Sequence, residues 1–367
     1  MHLAKCLLLL LVGLLALSHD GQGHTHNYSQ EAPGPGEGSP SLKIAPSNTA
    51  FAFNLYHLMA SEAPESNIFF SPLSISAAYA MLSLGARSHT WTQILAGLGF
   101  NLTKMSGSEI HQGFQHLLHT LNLPDDKLET RVGSALFLSQ DLPLLPRFLN
   151  DTMVFYGSRL FRTDFLDSKG TAQLINDHVK EETRGKIENL VDGLSTDTMM
   201  VLVNYIYFKA PWEKPFISSR SSPRDFYVDE NTKVKVPMMF QDKYHHWYLH
   251  DRKLELHFPK FSISGSYDLD QMLPKLGIRD LFSQQANLSG ITTQQNLLVS
   301  RSFHKAILDV DEAGTEAAAA TSVSVTFLSA SHNHRVLRFN RPFLVVIFST
   351  KTQSILFLGK VVNPTKP

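Results

Sequence analysis

The chain has 367 residues, 43% hydrophobic and 18% charged, enough apolar material for a large core in one big domain or two ordinary ones. Its 33 Lys+Arg balance 33 Asp+Glu, so no global field draws it to nucleic acid or to an anionic membrane. Its single cysteine, Cys6, lies near the N-terminus, which excludes disulfide scaffolds, catalytic thiols and cysteine-based zinc sites from the rest of the chain.

Lys5, the apolar run Leu7 to Leu17 broken only by Gly13, and the small and polar residues Ser18 to Gly23 have the pattern of a cleaved secretory signal peptide, placed at residues 1–20. The run is short for a membrane span, and no later stretch is long and apolar enough, so a soluble, secreted, extracellular chain is expected. Residues 21–44, rich in Gly, Pro, Ser and His, read as a disordered tail ahead of one domain over 45–367. The helical pattern opens at Ser47, with Phe51, Leu55, Leu58 and Met59 on one face. Ser71 is a good N-cap and Pro72 a good first helical residue. Ile75, Tyr79 and Leu82, interleaved with Ala77, Ala78 and Ala80, predict a helix buried on several sides.

A second helical group runs from Ile110 to Leu121, and Gly133 to Leu138 is strand-like. Thr171 to Asn189 reads as a charged amphipathic helix with Leu174, Ile175, Val179 and Ile187 apolar. Met199 to Phe208, broken only by Asn204, predicts a strand buried on both faces. Leu254, Leu256 and Phe258 alternate, as do Phe261 and Ile263. Two more strands, Phe343 to Phe348 and Ile355 to Val361, flank the turn-like Ser349-Thr-Lys-Thr. The fold class is α+β, with helices early, strands late and no internal repeat. Asn27, Asn101, Asn150 and Asn287 head Asn-x-Ser/Thr triplets and are candidate glycosylation sites at the surface.

No catalytic motif is present: no Gly-x-Ser-x-Gly elbow, phosphate loop, His-Glu-x-x-His or dinucleotide fingerprint. His116 and His119, and the group His245, His246 and His250, lack acidic or cysteine partners. Surface or packing roles suit them better than metal ligation. A solvated tail accounts for His24 and His26 better than weak metal binding. Asp311 and Glu312 are adjacent and diverge on a strand, unlike a glycosidase pair. The chain is therefore not expected to be an enzyme, and no cofactor or metal is called for.

Glu312 to His334 is unusual. Its first half is small residues and its second half, from Val323, is β-prone. An Ala-rich helix is one account of it. The other is a loop able to become a strand, with Thr315, Ala317, Ala319 and Thr321 on one small, uncharged face and Glu316 on the other.

This loop resembles the reactive-centre loop of the serpins, the suicide inhibitors of serine proteases. So do Asn67-Ile-Phe-Phe-Ser-Pro-Leu-Ser-Ile, Val203-Asn204-Tyr-Ile-Tyr-Phe-Lys with Trp212, Phe303-His304-Lys305-Ala, Phe339-Asn-Arg-Pro342-Phe343 and Phe357-Leu-Gly359-Lys-Val-Val-Asn-Pro364. They occur in family order and resemble antitrypsin-like members most. The resemblance implies a serpin fold with an exposed reactive-centre loop at 312–334. It also implies cleavage by the target protease and insertion of the cut loop into the large sheet. Counting from the hinge pattern places the reactive bond at Leu328–Ser329. Gly314, Thr315, Glu316, Ala317, Ala318, Ala319 and Ala320 form the hinge, and Ser71, Ser74, Asn204 and His304 the buried polar shutter. Leu328 implies a serine protease with a hydrophobic primary pocket, chymotrypsin- or kallikrein-like.

The chain departs from the family after Asp251, where about fifty residues are absent. They would carry two strands of the second sheet and two helices, so the helix at Pro72 is expected to lose part of its cover and the fold some stability. Three functions remain: an inhibitor, a non-inhibitory carrier, or an inactive truncated variant. The small hinge favours the first. Arg252, Lys253 and Lys260 form a thin basic cluster near the join, which leaves a heparin-like glycosaminoglycan partner open; a monomer is expected.

Overall fold

The computed structural model of the chain describes residues 6–11, 38–122, 129–209, 211–212, 214–242, 254–314 and 335–367. Among them are seven α-helices and thirteen strands, with helices concentrated in the first half. The helices are α1 (Pro40–Glu62), α2 (Pro72–Ser83), α3 (Ser88–Gly97), α4 (Gly107–Leu121), α5 (Pro146–Tyr156), α6 (Ser168–Glu182) and the short α7 (Leu269–Met272). The strands form three sheets. The largest runs β4 (Arg159–Thr163), β3 (Glu129–Ser139), β5 (Met200–Lys209), β10 (Arg301–Val310), β9 (Phe261–Asp268). The second runs β1 (Cys6–Leu11), β12 (Phe343–Ser349), β13 (Ser354–Val361), β2 (Ile68–Phe70). The third runs β11 (Arg335–Arg338), β8 (Leu254–Pro259), β7 (Lys233–Gln241), β6 (Ser222–Tyr227).

β5 is the central strand, and its side chains alternate between two cores. Met200, Leu202, Ile206 and Phe208 join the large core that contains α2. Val201, Val203 and Tyr205 face a smaller cluster with Ile175 and Val179 of α6. A strand sandwiched in this way needs apolar residues at both parities, which is why its sequence shows no alternation.

Three expectations are corrected. The domain begins before residue 45. α1 starts at Pro40, and Ser41 and Ile44 are already buried, so the tail reading of 21–44 runs too far. Ile44 seats over Gly113 of α4, where an added Cβ would lie 2.6 Å from the Ile44 side chain. The helix placed at Thr171 to Asn189 stops at Glu182. There Arg184 and Gly185 take φ of +52° and +79°, and the Thr183 hydroxyl accepts the amide of Ile187 as the chain turns back. Ile187 is buried outside the helix, and Leu174 is exposed. Finally, α2 loses no cover: all twelve residues are buried, with β13, α1, α3 and β5 among the elements packed around it.

β1 lies in the segment expected as the signal peptide. It pairs antiparallel with β12 from Cys6↔Ser349 to Leu11↔Leu344, at the outer edge of the second sheet. No helix among the described residues is long and apolar enough to cross a membrane.

Candidate functional site: a polar cluster between parallel strands, and the root of a long loop

β5 and β10 are neighbours and run parallel, from Arg301↔Val201 to Ile307↔Tyr207, whereas β10 with β9 and β5 with β3 run antiparallel. The centre of the sheet therefore contains one parallel junction, joined by slanted and slightly weaker bonds.

A polar cluster sits beneath that junction in an otherwise apolar core. Ser71, Ser74, Asn204 and His304 are all fully buried. Ser71 caps α2 by accepting the Ser74 amide at 3.2 Å, as the Ser-Pro start of the helix requires. The Ser71 amide donates to His304 Nε2 at 3.1 Å, so that nitrogen is unprotonated and Nδ1–H donates to Asn204 Oδ1 at 2.6 Å. Burial holds the His304 pKa down to about 3, so the ring is neutral. The Ser74 hydroxyl donates to Asn204 Oδ1 at 2.8 Å, and Asn204 Nδ2 lies within hydrogen-bond reach of Ser74 O, Gly133 O and Ser134 Oγ. The four residues thus tie α2, β3, β5 and β10 to one another, and the Asn204–His304 bond crosses the parallel junction. Sequence reasoning missed three supporting residues. Ser134 completes Asn204, Tyr267 stacks on His304 with centroids 6.3 Å apart, and Tyr79 donates to Ser302 Oγ at 2.6 Å. None has a motif of its own; for Ser134 and Tyr267 a polar group at an inward strand position is the available signal, and for Tyr79 a hydroxyl on the apolar face of α2.

The loop leaves β10 through a tight knot. Asp311 and Gly314 exchange backbone bonds of 3.0 and 3.3 Å, with Gly314 at φ +113°, where only glycine sits without strain. The Trp212 indole donates to Asp311 O at 2.7 Å, its amide to Ala313 O at 3.2 Å, and the Phe216 amide to Glu312 O at 2.8 Å. Lys260 pairs with Glu312 at 3.1 Å. Of the hinge, only Gly314 lies within the described residues. Thr315, Glu316, Ala317, Ala318, Ala319, Ala320, Leu328 and Ser329 lie outside them, as do Asn27, Arg252 and Lys253.

Asn101 and Asn150 are exposed and Asn287 is half-buried. Asn150 stands on α5. His116 bonds to Ser41, and no group of three acidic, histidine or cysteine side chains could hold a metal ion among the described residues.

Comparison with known proteins places this geometry. The serpin (serine protease inhibitor) family matches residues 46–255 and 247–364. The two pieces meet where the sequence predicts the missing segment. Human kallistatin is 62% identical over 427 positions that take in all of both chains. Those 427 positions against 367 residues leave about sixty without a counterpart here. Human alpha-1-antichymotrypsin is 45% identical, with 88% of each chain covered. Among solved structures, human glycosylated kallistatin superposes with a TM-score of 0.83 at 62% identity, covering 90% of this chain and all of that one. Cleaved kallistatin complexed with heparin gives 0.71 at 61%, over 75% of this chain and 96% of that one. Human thyroxine-binding globulin complexed with thyroxine gives 0.81 at 40%, over 89% and 100%.

Proposed function

The chain belongs to the serpin family, and on that premise we propose that it is a secreted suicide inhibitor of a serine protease with a hydrophobic primary pocket, chymotrypsin- or kallikrein-like. The observation that carries this reading is the parallel β5–β10 junction with a polar cluster beneath it. The loop continues β10 beyond Gly314. If it folds back beside β10, it runs antiparallel to β10 and hence antiparallel to β5. Insertion between them therefore exchanges one parallel ladder for two antiparallel ones. The small face of Thr315, Ala317, Ala319 and Thr321 suits entry into a closed sheet.

In the proposed cycle, the protease serine attacks the carbonyl of Leu328, the amine of Ser329 leaves, and an acyl-enzyme forms. The hinge then enters the sheet, separating β10 from β5 and breaking the Asn204–His304 bond. The attached protease moves with it before water can release it. Because the cluster is hydrogen-bonded rather than interdigitated, its partners can be exchanged without a large apolar face meeting water. The names kallistatin and alpha-1-antichymotrypsin among the relatives support a chymotrypsin-like target.

Incubation of the secreted protein with chymotrypsin, followed by a denaturing gel, tests this. An SDS-resistant band near the summed mass is expected. Clean cleavage at Leu328–Ser329 without that band would mean a loop that is bait without a spring, leaving the carrier and truncated-variant readings. Glycans at Asn101 and Asn150 fit their exposure and are checked by a mass shift on deglycosylation. Affinity for a heparin-like glycosaminoglycan draws support from the heparin complex of cleaved kallistatin. Elution from heparin below physiological salt would refute it.

A further inference from the structure

The outer edge of β12 is paired, among the described residues, only by β1, the strand drawn from the expected signal peptide. That pairing displays what the edge accepts: an antiparallel strand of six residues, Cys6 to Leu11, all apolar or cysteine. Phe343-Leu-Val-Val-Ile-Phe-Ser349 itself contains no charge, proline or glycine. Its ladder with β13 is irregular between Ile347 and Phe348, but it lacks the charges and prolines that most often keep edge strands from pairing. Once the leader is removed, no other strand among the described residues pairs with this row of backbone donors and acceptors.

We propose that, once the leader is removed, β12 pairs antiparallel with β12 of a second copy of this chain, giving a two-fold dimer through the second sheet. The occupant follows from self-complementarity. An antiparallel pairing centred on Val346 sets Leu344 opposite Phe348 twice, related by the dyad that an isologous interface requires. The exposed partner that most resembles the displaced β1 is another uncharged, apolar strand, and β12 is one. The absent segment after Asp251 supplies no strand to cover the edge. The dimer rests on leader removal, part of the secretory reading above, and replaces the monomer expected from sequence.

The secreted chain is purified and its thiols are counted, since Cys6 is the only cysteine. A thiol-free preparation is expected to sediment as a dimer in the micromolar range. Amides of Phe343 to Ser349 should gain protection from hydrogen exchange as concentration rises. A thiol-free chain that stays monomeric overturns the proposal, as does a dimer whose β12 amides exchange independently of concentration. A retained thiol means that the processing reading fails. The leader is then released at a protease site inserted after Gly23, and the same dimer is expected on cleavage. The double variant Leu344→Lys with Phe348→Lys places lysine opposite lysine at both symmetric positions, and is expected to restore the monomer. Exchange protection elsewhere in the chain reports whether that variant is folded.

Discussion

The middle of the large sheet and the middle of the second sheet are both fully buried, yet they are held by different chemistry. At the β5–β10 junction the apolar packing on α2 is interrupted by the hydrogen bonds of Ser71, Ser74, Asn204 and His304. In the second sheet Phe357 stacks on Phe69 at 5.1 Å and meets Phe208 edge-on at 5.5 Å, with no side-chain polar group between them. Apolar cohesion depends on area alone and resists separation wherever it occurs. Polar cohesion depends on specific partners, so it can be made conditional: strong when every group is paired, weak once one bond is broken. In the proposed cycle the apolar region would resist separation and the polar junction would yield.

The comparison breaks most visibly at Phe357. Phe357→Ala is expected to cost about 3–5 kcal/mol in a denaturant titration, without speeding loop insertion. Asn204→Ala should cost less, about 2–4 kcal/mol, because it strands buried donors and acceptors. It should, however, accelerate conversion to the inserted form, read as a rising share of cleaved inhibitor that traps no protease. Equal effects of both variants on insertion would erase the distinction.

A pH series sharpens it. Burial holds His304 near 3 and His111 near 4, both below the ordinary value of 6.5. Between those values and 6.5 the unfolded chain binds more protons than the folded one, so stability rises with pH through that window and is complete above it. Each histidine contributes a slope of up to about 1.4 kcal/mol per pH unit. A urea midpoint that does not fall from pH 6.5 to 4.5 would contradict the burial of both rings. The smallest effect is expected at the helix start, where Ser71→Ala removes the cap of α2 for about 1 kcal/mol, measurable by thermal melting.

Much of this was legible in the sequence, for reasons that differ by element. β5 announced itself because burial on both faces forbids polar residues except at Asn204. α2 was marked by Ser71-Pro72. α5 was invisible because it buries little: Phe148 and Thr152 face inward, while Leu149, Met153 and Val154 are exposed, which scrambles the apolar stripe. The start of α1 was masked by its neighbours, since a Gly- and Pro-rich approach outweighs the few residues at 40–44 that pack on α4. The polar cluster could not be assembled from spacing, because its members lie up to 233 residues apart. Only the family resemblance gathered them, and only the fold supplied Ser134, Tyr79 and Tyr267.

The knot at the loop root has an optical consequence. The chain has three tryptophans, Trp91, Trp212 and Trp247, of which Trp247 lies outside the described residues; Trp212 donates through its indole to Asp311 O just beyond β10 and lies edge-on to Phe216 and Phe258. Any motion that draws Asp311 away from it exchanges a carbonyl partner for water and shifts its emission to longer wavelength. The chain thus carries a native fluorophore at the point where loop movement would begin.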